Sequence, residues 1–219
     1  CRIDGVAHGA LCGTLSRPLD AAQDSSVRID VQFAVLPALA RNKKADPVFF
    51  LAGGPGQSAI DLAGTVSRML SRFGQRRDIV LVDQRGTGRS APLGCGDEPP
   101  GRPMSEQLDP QRQLQRARDC LRQLQALPHG DLRHYGTTPA MADLDAVRQT
   151  LGAERINLVA VSYGTRAALE YLRLYPQQVR RMVLDGVAPP DMALPEASAP
   201  DAQAAFDALL LACAQDAVC

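Results

Sequence analysis

The chain has 219 residues, of which 45% are hydrophobic and 22% are charged, which is enough to fold around a sizeable core and argues against wholesale disorder. Lysine plus arginine and aspartate plus glutamate number 24 each, so the formal net charge is zero and gives no electrostatic reason to expect nucleic acid or an anionic membrane surface as a partner. No apolar run approaches the roughly 20 residues of a membrane-spanning helix, and we predict no membrane span.

Two strands that pair with each other are predicted near the start of the chain. Residues 27–36 alternate apolar and polar side chains, which is the period-2 pattern of a half-buried strand. Residues 11–15 are predicted to pair with them, and the connection is predicted to begin at Arg17.

Four later segments predict a different kind of strand. They are short and continuously or nearly continuously apolar, at 47–51, 79–82, 156–161 and 182–184. Such runs are typical of central parallel strands that are covered on both faces. Helical patterns lie between them at 58–73, 138–151 and 163–175, the second with Thr138 as the predicted N-cap and Pro139 at its first position. This alternation predicts an α/β fold with a doubly wound, mostly parallel sheet.

Three segments depart from the alternation. Residues 94–103 are rich in Gly and Pro and predict a loop, and residues 109–127 predict an extra helix with Asp109 as the N-cap. Residues 189–200 predict a Pro/Ala-rich linker, and residues 201–217 predict a further helix.

The strongest chemical signal is a serine placed between an apolar strand and a helix, in the sequence Ile-Asn-Leu-Val-Ala-Val-Ser-Tyr-Gly-Thr from 156 to 165. A turn from strand to helix within one residue strains the serine and crowds its neighbours, so small residues are needed two positions before and after it. Those positions hold Ala160 and Gly164, and Ser162 is therefore predicted to be a nucleophile. A chance match to a short pattern is the alternative, and the strand-turn-helix context weighs against it.

A glycine-rich segment, Leu-Ala-Gly-Gly-Pro-Gly-Gln-Ser from 51 to 58, directly follows a buried strand. Gly53, Gly54 and Gly56 let the backbone approach a ligand and point its N–H groups inward. We predict that the amides of Gly54 and Tyr163 hold an oxyanion during acyl transfer. A phosphate loop is the rival, but the segment lacks a Gly-Lys-Ser/Thr ending and G-x-G-x-x-G spacing.

A charged loop follows the next strand, with the sequence Val-Asp-Gln-Arg-Gly-Thr-Gly-Arg-Ser from 82 to 90. Ligands of open α/β sheets bind at the carboxyl ends of the strands, where this loop is predicted to lie. We predict that Asp83 and Arg85 tie neighbouring loops together rather than contact the substrate.

The three motifs in this order, AGGPG, DQRGTGRS and VSYGTRAALEYLRLYP, resemble the proline iminopeptidase and tripeptidyl aminopeptidase family of α/β-hydrolases over residues 48–190. The resemblance implies cleavage of short peptides from a free N-terminus by a serine, with no metal or organic cofactor. The family's glycine-rich loop usually begins with histidine, where this chain has Ala52. That histidine is not the catalytic base, so its replacement does not argue against activity.

The resemblance also implies that the catalytic acid and histidine follow the nucleophile, on further strands beyond a helical cap. His8, His129 and His134 all precede Ser162 and are interpreted as surface residues. We therefore expect residues 1–190 to be the N-terminal part of the hydrolase core and residues 191–219 to be the linker and the start of the cap. The remaining core strands, the catalytic Asp and the catalytic His are expected in a complementary C-terminal part, from the same precursor or a second chain.

Six cysteines form three pairs that are close in sequence: Cys1 and Cys12, Cys95 and Cys120, Cys213 and Cys219. We predict these three disulfides and a secreted or periplasmic location. Buried free thiols in a cytosolic enzyme are one alternative, and a lipid-modified Cys1, which would leave Cys12 unpaired, is another. None of the cysteine pairs is C-x-x-C, and the three histidines are not spaced relative to the cysteines as zinc ligands would be, so no metal site is predicted. The cysteine-bearing segments resemble the secreted, tripeptidyl-aminopeptidase-like branch.

The predicted function is thus a serine hydrolase that removes short peptides from a free N-terminus through an acyl-enzyme on Ser162. An esterase or lipase-like hydrolase is the nearest alternative, because fold does not determine substrate. A non-catalytic fragment or binding protein that lacks the Asp and His is an alternative from another class.

Overall fold

Six strands form one sheet in the computed structural model, which describes residues 1–23, 27–96, 101, 103–193, 196, 198–216 and 219. The strands are β1 (Leu11–Pro18), β2 (Arg28–Leu36), β3 (Val48–Leu51), β4 (Ile79–Val82), β5 (Ile156–Val161) and β6 (Val179–Asp185). Their order in the sheet is β1-β2-β4-β3-β5-β6. The pairs β1–β2 and β2–β4 are antiparallel, whereas β4, β3, β5 and β6 run parallel, which confirms the mostly parallel sheet.

Seven α-helices connect or follow these strands in the described part of the chain. They are α1 (Ala63–Met69), α2 (Ser71–Gly74), α3 (Met104–Gln107), α4 (Pro110–Gln125), α5 (Thr137–Thr150), α6 (Tyr163–Leu174) and α7 (Ser198–Gln215). Short 3₁₀ helices cover Leu132–His134 and Pro176–Gln178. By its contacts the chain divides into two compact units, Cys1–Val187 and Ala188–Cys219.

The sheet carries an apolar cluster on each face. Helices α5 and α6 cover one face, where Phe49, Leu158 and Tyr171 are buried. Helix α1 covers the other face, where Phe50 and Leu81 are buried. Because β3 and β4 are buried at every position, their sequences are uniformly apolar rather than alternating.

The first two strands are paired as predicted, but β1 is longer than expected. Arg17 and Pro18 belong to β1 and pair with Ile29 and Arg28, so the connection begins at Leu19 instead of Arg17. The proline lies at the end of an edge strand, where its missing N–H removes no bond that the sheet requires.

The helix predicted over 58–73 begins later and is interrupted. The Ser58 hydroxyl donates to Asp83 Oδ1 (2.8 Å), and the Ile60 amide donates to the same atom (3.1 Å). These bonds attach the start of the segment to the β4 strand end, and α1 begins only at Ala63, with Leu62 as its N-cap; a break at Leu70 separates α1 from α2.

The N-cap prediction for the second helix was wrong. Helix α5 begins at Thr137 with Gly136 as its N-cap, so Pro139 is its third residue. The Thr138 hydroxyl donates to Glu170 Oε1 (2.5 Å) on α6 and therefore does not cap its own helix. The Asp109 cap is confirmed, because its side chain accepts from the Gln111 amide (2.9 Å).

The last predicted linker is shorter than expected. Helix α7 begins at Ser198, within the predicted linker of residues 189–200, and ends at Gln215. Pro200 is accommodated because the first turn of a helix does not use its N–H groups. Ala217, the predicted end of this helix, lies outside the described residues, as does part of the predicted loop 94–103.

Candidate active site

Ser162 is the single residue that joins β5 to α6. Its backbone has φ 54° and ψ −125°, although the residue is not glycine. The Ser162 amide donates to the Asp185 carbonyl (2.8 Å), and its carbonyl accepts from the Thr165 amide (2.9 Å). Such a conformation costs about 1–3 kcal/mol and persists because surrounding bonds fix it. The bend presents an exposed side chain at the carboxyl end of β5.

The residues around this bend are small because the backbone of β3 lies close to it. A methyl group at position 164 would lie 2.3 Å from the Leu51 carbonyl oxygen, and one at position 53 would lie 3.2 Å from Ser162 Cβ. Ala160 is fully buried on the preceding strand. The sequence therefore bends here only with glycine or a comparably small residue at these positions.

The segment after β3, residues 52–58, is called the glycine loop from here on. Gly54 and Gly56 have φ of 105° and 100°, which few other residues adopt. Within the described residues, the amides of Gly54 and Tyr163 donate to no protein oxygen. Both N–H groups thus keep their hydrogen-bonding capacity for another acceptor.

Asp83 ties the glycine loop to the segment after β4, residues 83–90, which is called the β4 loop. Its Oδ1 accepts from Ser58 and Ile60, and its Oδ2 accepts from the Arg89 amide (3.2 Å). The carboxylate is 1% exposed, and a methyl group at Gly88 would lie 2.0 Å from Oδ2. The geometry is that of the predicted tie between neighbouring loops.

Arg85 joins the β4 loop to α5 through a buried ion pair. Its Nε donates to Asp143 Oδ2 (2.7 Å) and its Nη2 to Asp143 Oδ1 (2.9 Å). Its Nη1 donates to the carbonyls of Leu19 and His134, both at 2.9 Å. The two side chains are 3% and 1% exposed, and Arg17 adds a third bond to Asp143 (3.0 Å).

Sequence reasoning missed Asp143 and Thr137. Asp143 lies between Met141 and Leu144, which are both buried, and an aspartate on the apolar side of a helix was the available signal. The Thr137 hydroxyl lies 2.6 Å from the Tyr163 hydroxyl, a contact between helices that no local pattern indicates.

The three histidines do not form a catalytic pair with Ser162 in this structure. His134 Nε2 lies 3.4 Å from Asp131 Oδ2, and His8 lines a small apolar cavity with Leu36 and Ile79. His129 is half-buried, and its Nε2 has no partner among the described residues. The Thr165 hydroxyl donates to the Ser162 carbonyl (2.6 Å), and the Ser162 hydroxyl forms no hydrogen bond among the residues that the structure describes.

All six cysteines form the predicted disulfides, Cys1–Cys12, Cys95–Cys120 and Cys213–Cys219. Bonds of this kind persist in oxidising compartments, which is consistent with the predicted location. The residues that the structure describes include no group of three or more His, Cys, Asp or Glu side chains that could hold a metal. None of their helices has both the length and the apolar character to cross a bilayer.

Comparisons with known proteins give the same assignment as the fold. A family model described as the alpha/beta hydrolase fold matches residues 46–214. The serine protease Hip1 of Mycobacterium tuberculosis is 31% identical over 232 residues, and the alignment covers 98% of this chain and 43% of that protein. Tripeptidyl aminopeptidase of Streptomyces lividans is 33% identical over 197 residues, with 82% and 35% covered.

A proline iminopeptidase of Xylella fastidiosa is 28% identical over 148 residues, covering 67% of this chain and 34% of that protein. The resemblance to proline iminopeptidases and tripeptidyl aminopeptidases that the three motifs indicate is thereby confirmed. The chain spans less than half the length of the curated relatives it matches.

Proposed function

The chain belongs to the α/β-hydrolase family, and on that basis we propose that it bears the nucleophile of a serine peptidase that cleaves short peptides from a free N-terminus. The observation that carries the proposal is the conformation of Ser162, an exposed non-glycine residue held at φ 54° between a core strand and a helix. A strained, exposed serine at this place is the arrangement that acyl transfer uses on this fold.

In the proposed reaction, Ser162 Oγ attacks the carbonyl carbon of the scissile bond, and a histidine accepts the hydroxyl proton. The amides of Gly54 and Tyr163 stabilise the negative charge that develops on the carbonyl oxygen. One such donor contributes about 3 kcal/mol to transition-state stabilisation. The histidine then protonates the leaving amine, and water hydrolyses the acyl-enzyme and regenerates the serine.

We place the catalytic histidine and its acidic partner in a C-terminal part that complements this chain. One support is that His8, His129 and His134 lie in environments that do not pair them with Ser162. The other is that the relatives are more than twice as long as the region they share with this chain. A serine hydroxyl without an imidazole in hydrogen-bond reach is a weak nucleophile.

The substrate class rests on the relatives, whose names include a serine protease and a tripeptidyl aminopeptidase. Secretion or export to the periplasm accords with the three disulfides. An esterase on the same fold is the alternative that the test must distinguish from a peptidase.

The test measures turnover of tripeptidyl, aminoacyl and short-chain ester chromogenic substrates by the protein isolated from its producing cells with any polypeptide that accompanies it. We expect peptide substrates with a free amine to be cleaved, N-acetylated analogues to be poor substrates, and Ser162→Ala to abolish cleavage. Ser71→Ala, which changes an exposed serine of α2 outside the glycine loop and the β4 loop, is the control serine variant. Retained peptidase activity in Ser162→Ala, or activity on esters alone, would refute the proposal.

A further inference from the structure

Two consecutive threonines at the start of α5 form hydrogen bonds to α6 at two different positions along that helix. The Thr137 hydroxyl lies 2.6 Å from the Tyr163 hydroxyl, in the first turn of α6. The Thr138 hydroxyl donates to Glu170 (2.5 Å), two turns further along. The same pair of helices is thus joined once beside Ser162 and once away from it.

The Thr137 bond completes a series of polar contacts between the two proposed oxyanion donors. Asp83 holds the end of the glycine loop, and Arg85, two residues later, is paired with Asp143 of α5. Helix α5 in turn contacts Tyr163 through Thr137. The glycine loop and the first residue of α6 are therefore joined through this series of buried and partly buried contacts as well as through the sheet.

The position of Tyr163 explains how a contact of its side chain can act on its backbone amide. It follows a residue with strained backbone geometry, and it is the first residue of its helix. The planar peptide unit that carries the Tyr163 N–H is held on its carbonyl side, because the Ser162 carbonyl accepts from the Thr165 amide (2.9 Å), but the N–H itself makes no intrahelical bond. Fixing the ring of Tyr163 adds a second restraint, from the side chain, on the residue that carries this N–H.

We propose that Thr137 is a positioning residue of the oxyanion site: its hydroxyl holds the Tyr163 side chain, and thereby keeps the Tyr163 amide directed at the developing negative charge. The inference rests on the proposed function and adds a residue to it. Its effect falls on the transition state, where the charge is present, and not on substrate binding.

The first test measures the ¹⁵N relaxation order parameter of the Tyr163 amide in the full chain. Thr137→Val removes the hydroxyl at nearly constant volume, and we expect the order parameter of this amide to fall below that of wild type. Thr138→Val is the matched control, because it removes the neighbouring hydroxyl and its bond to α6 away from Ser162. It is expected to leave the Tyr163 amide unchanged.

The second test measures peptide hydrolysis by the same variants in the protein isolated with its partners. Because removal of one donor lowers kcat by about 10²–10³, loosening it is expected to lower kcat about tenfold, with KM unchanged. Thr137→Ser should restore kcat, Tyr163→Phe should match Thr137→Val, and the double variant should lose no more than either single one.

An unchanged Tyr163 order parameter in Thr137→Val would overturn the inference. A loss of kcat in Thr138→Val equal to that in Thr137→Val would do the same, because it would assign the effect to helix packing in general. If the wild-type protein cleaves no substrate, the proposed function is wrong, and the order parameters alone decide whether Thr137 holds Tyr163.

Discussion

At position 164 any side chain meets the backbone of β3. A methyl group there would lie 2.3 Å from the Leu51 carbonyl oxygen and 2.7 Å from that of Ala52, and neither can move without displacing the strand. We expect Gly164→Ala to lower the free energy of unfolding by about 3 kcal/mol and to displace the bend at Ser162. Urea unfolding followed by circular dichroism measures the change.

Gly74→Ala is the matched control for this glycine. It also lies in a helix, but its added methyl group would lie 3.4 Å from Ile79 Cδ1, an ordinary contact. We expect a change within about 1 kcal/mol of zero, because alanine favours the helix. Equal losses in the two variants would contradict the account of Gly164.

Glu170 provides a prediction about pH. Hydrogen bonds from Arg173 and Thr138 lower the pKa of its carboxyl from 4.5 to about 2. The folded state therefore favours the ionised form, and the stability that this adds is present above pH 4.5 and is lost as the pH falls towards 2. We expect Glu170→Gln to flatten the pH dependence of the midpoint of unfolding in that window. Arg173→Met should flatten it similarly, whereas an unchanged slope in both variants would be inconsistent with the assigned cause.

At the residue scale, the sequence predicted those positions of the candidate site that depend on local backbone geometry. Ser162 and Gly164 stand out because a strand that turns into a helix within one residue needs small neighbours at the bend, and the residue at the bend is a serine. Thr137 and Asp143 were missed, because their partners Tyr163 and Arg85 are distant in the sequence and become neighbours only through packing.

At the scale of elements, α5 is fixed to the β4 loop by one buried arginine. Arg85→Met would leave Asp143 buried with only the partly exposed Arg17, whose side chain is 25% exposed, as its partner. We expect this variant to lose about 3–5 kcal/mol of stability. Arg17→Met is the control, since it preserves both bonds from Arg85 to Asp143, and it should lose about 1 kcal/mol or less. Denaturant unfolding of both variants measures the difference, and a larger loss for Arg17→Met would rule out Arg85 as the main anchor.

Local sequence signals predicted some helix boundaries correctly and others wrongly. Asp109 followed by Pro110 caps α4 as expected, because both signals act within the helix itself. The start of α5 was displaced, because the Thr138 hydroxyl bonds Glu170 on α6 rather than its own helix. Helix α1 starts late, because Asp83 accepts from both Ser58 and Ile60 before the helix begins. A capping residue that finds a tertiary partner no longer marks the end of its helix.

At the scale of the whole molecule, apolar patterning predicted the parallel core, while the order of the strands came only from the structure. The chain order β3, β4, β5 becomes β4-β3-β5 in the sheet. Because crossovers are right-handed, the face on which each connecting helix packs sets the direction in which the chain moves across the sheet. The antiparallel pair at the start was predictable because β1 and β2 are close in sequence and alternate in polarity.

The Cys95–Cys120 disulfide closes the longest of the three loops, with a sequence separation of 25. We expect Cys95→Ser/Cys120→Ser to lower the free energy of unfolding by about 3 kcal/mol, because the unfolded chain regains the freedom that the bond removed. Thermal unfolding with and without a reductant measures this, and the reductant should lower the Tm of the variant less than that of wild type. A variant as stable as wild type would show that the bond does not restrain the unfolded chain.

The central claim is that Ser162 is the nucleophile, and covalent labelling with a fluorophosphonate probe tests it most directly. The protein isolated with its accompanying polypeptides is labelled and digested, and the modified residue is located by mass spectrometry. We predict a single adduct on Ser162 that is absent from the Ser162→Ala variant. An adduct on another serine, or no adduct in a preparation that cleaves peptides, would contradict the account.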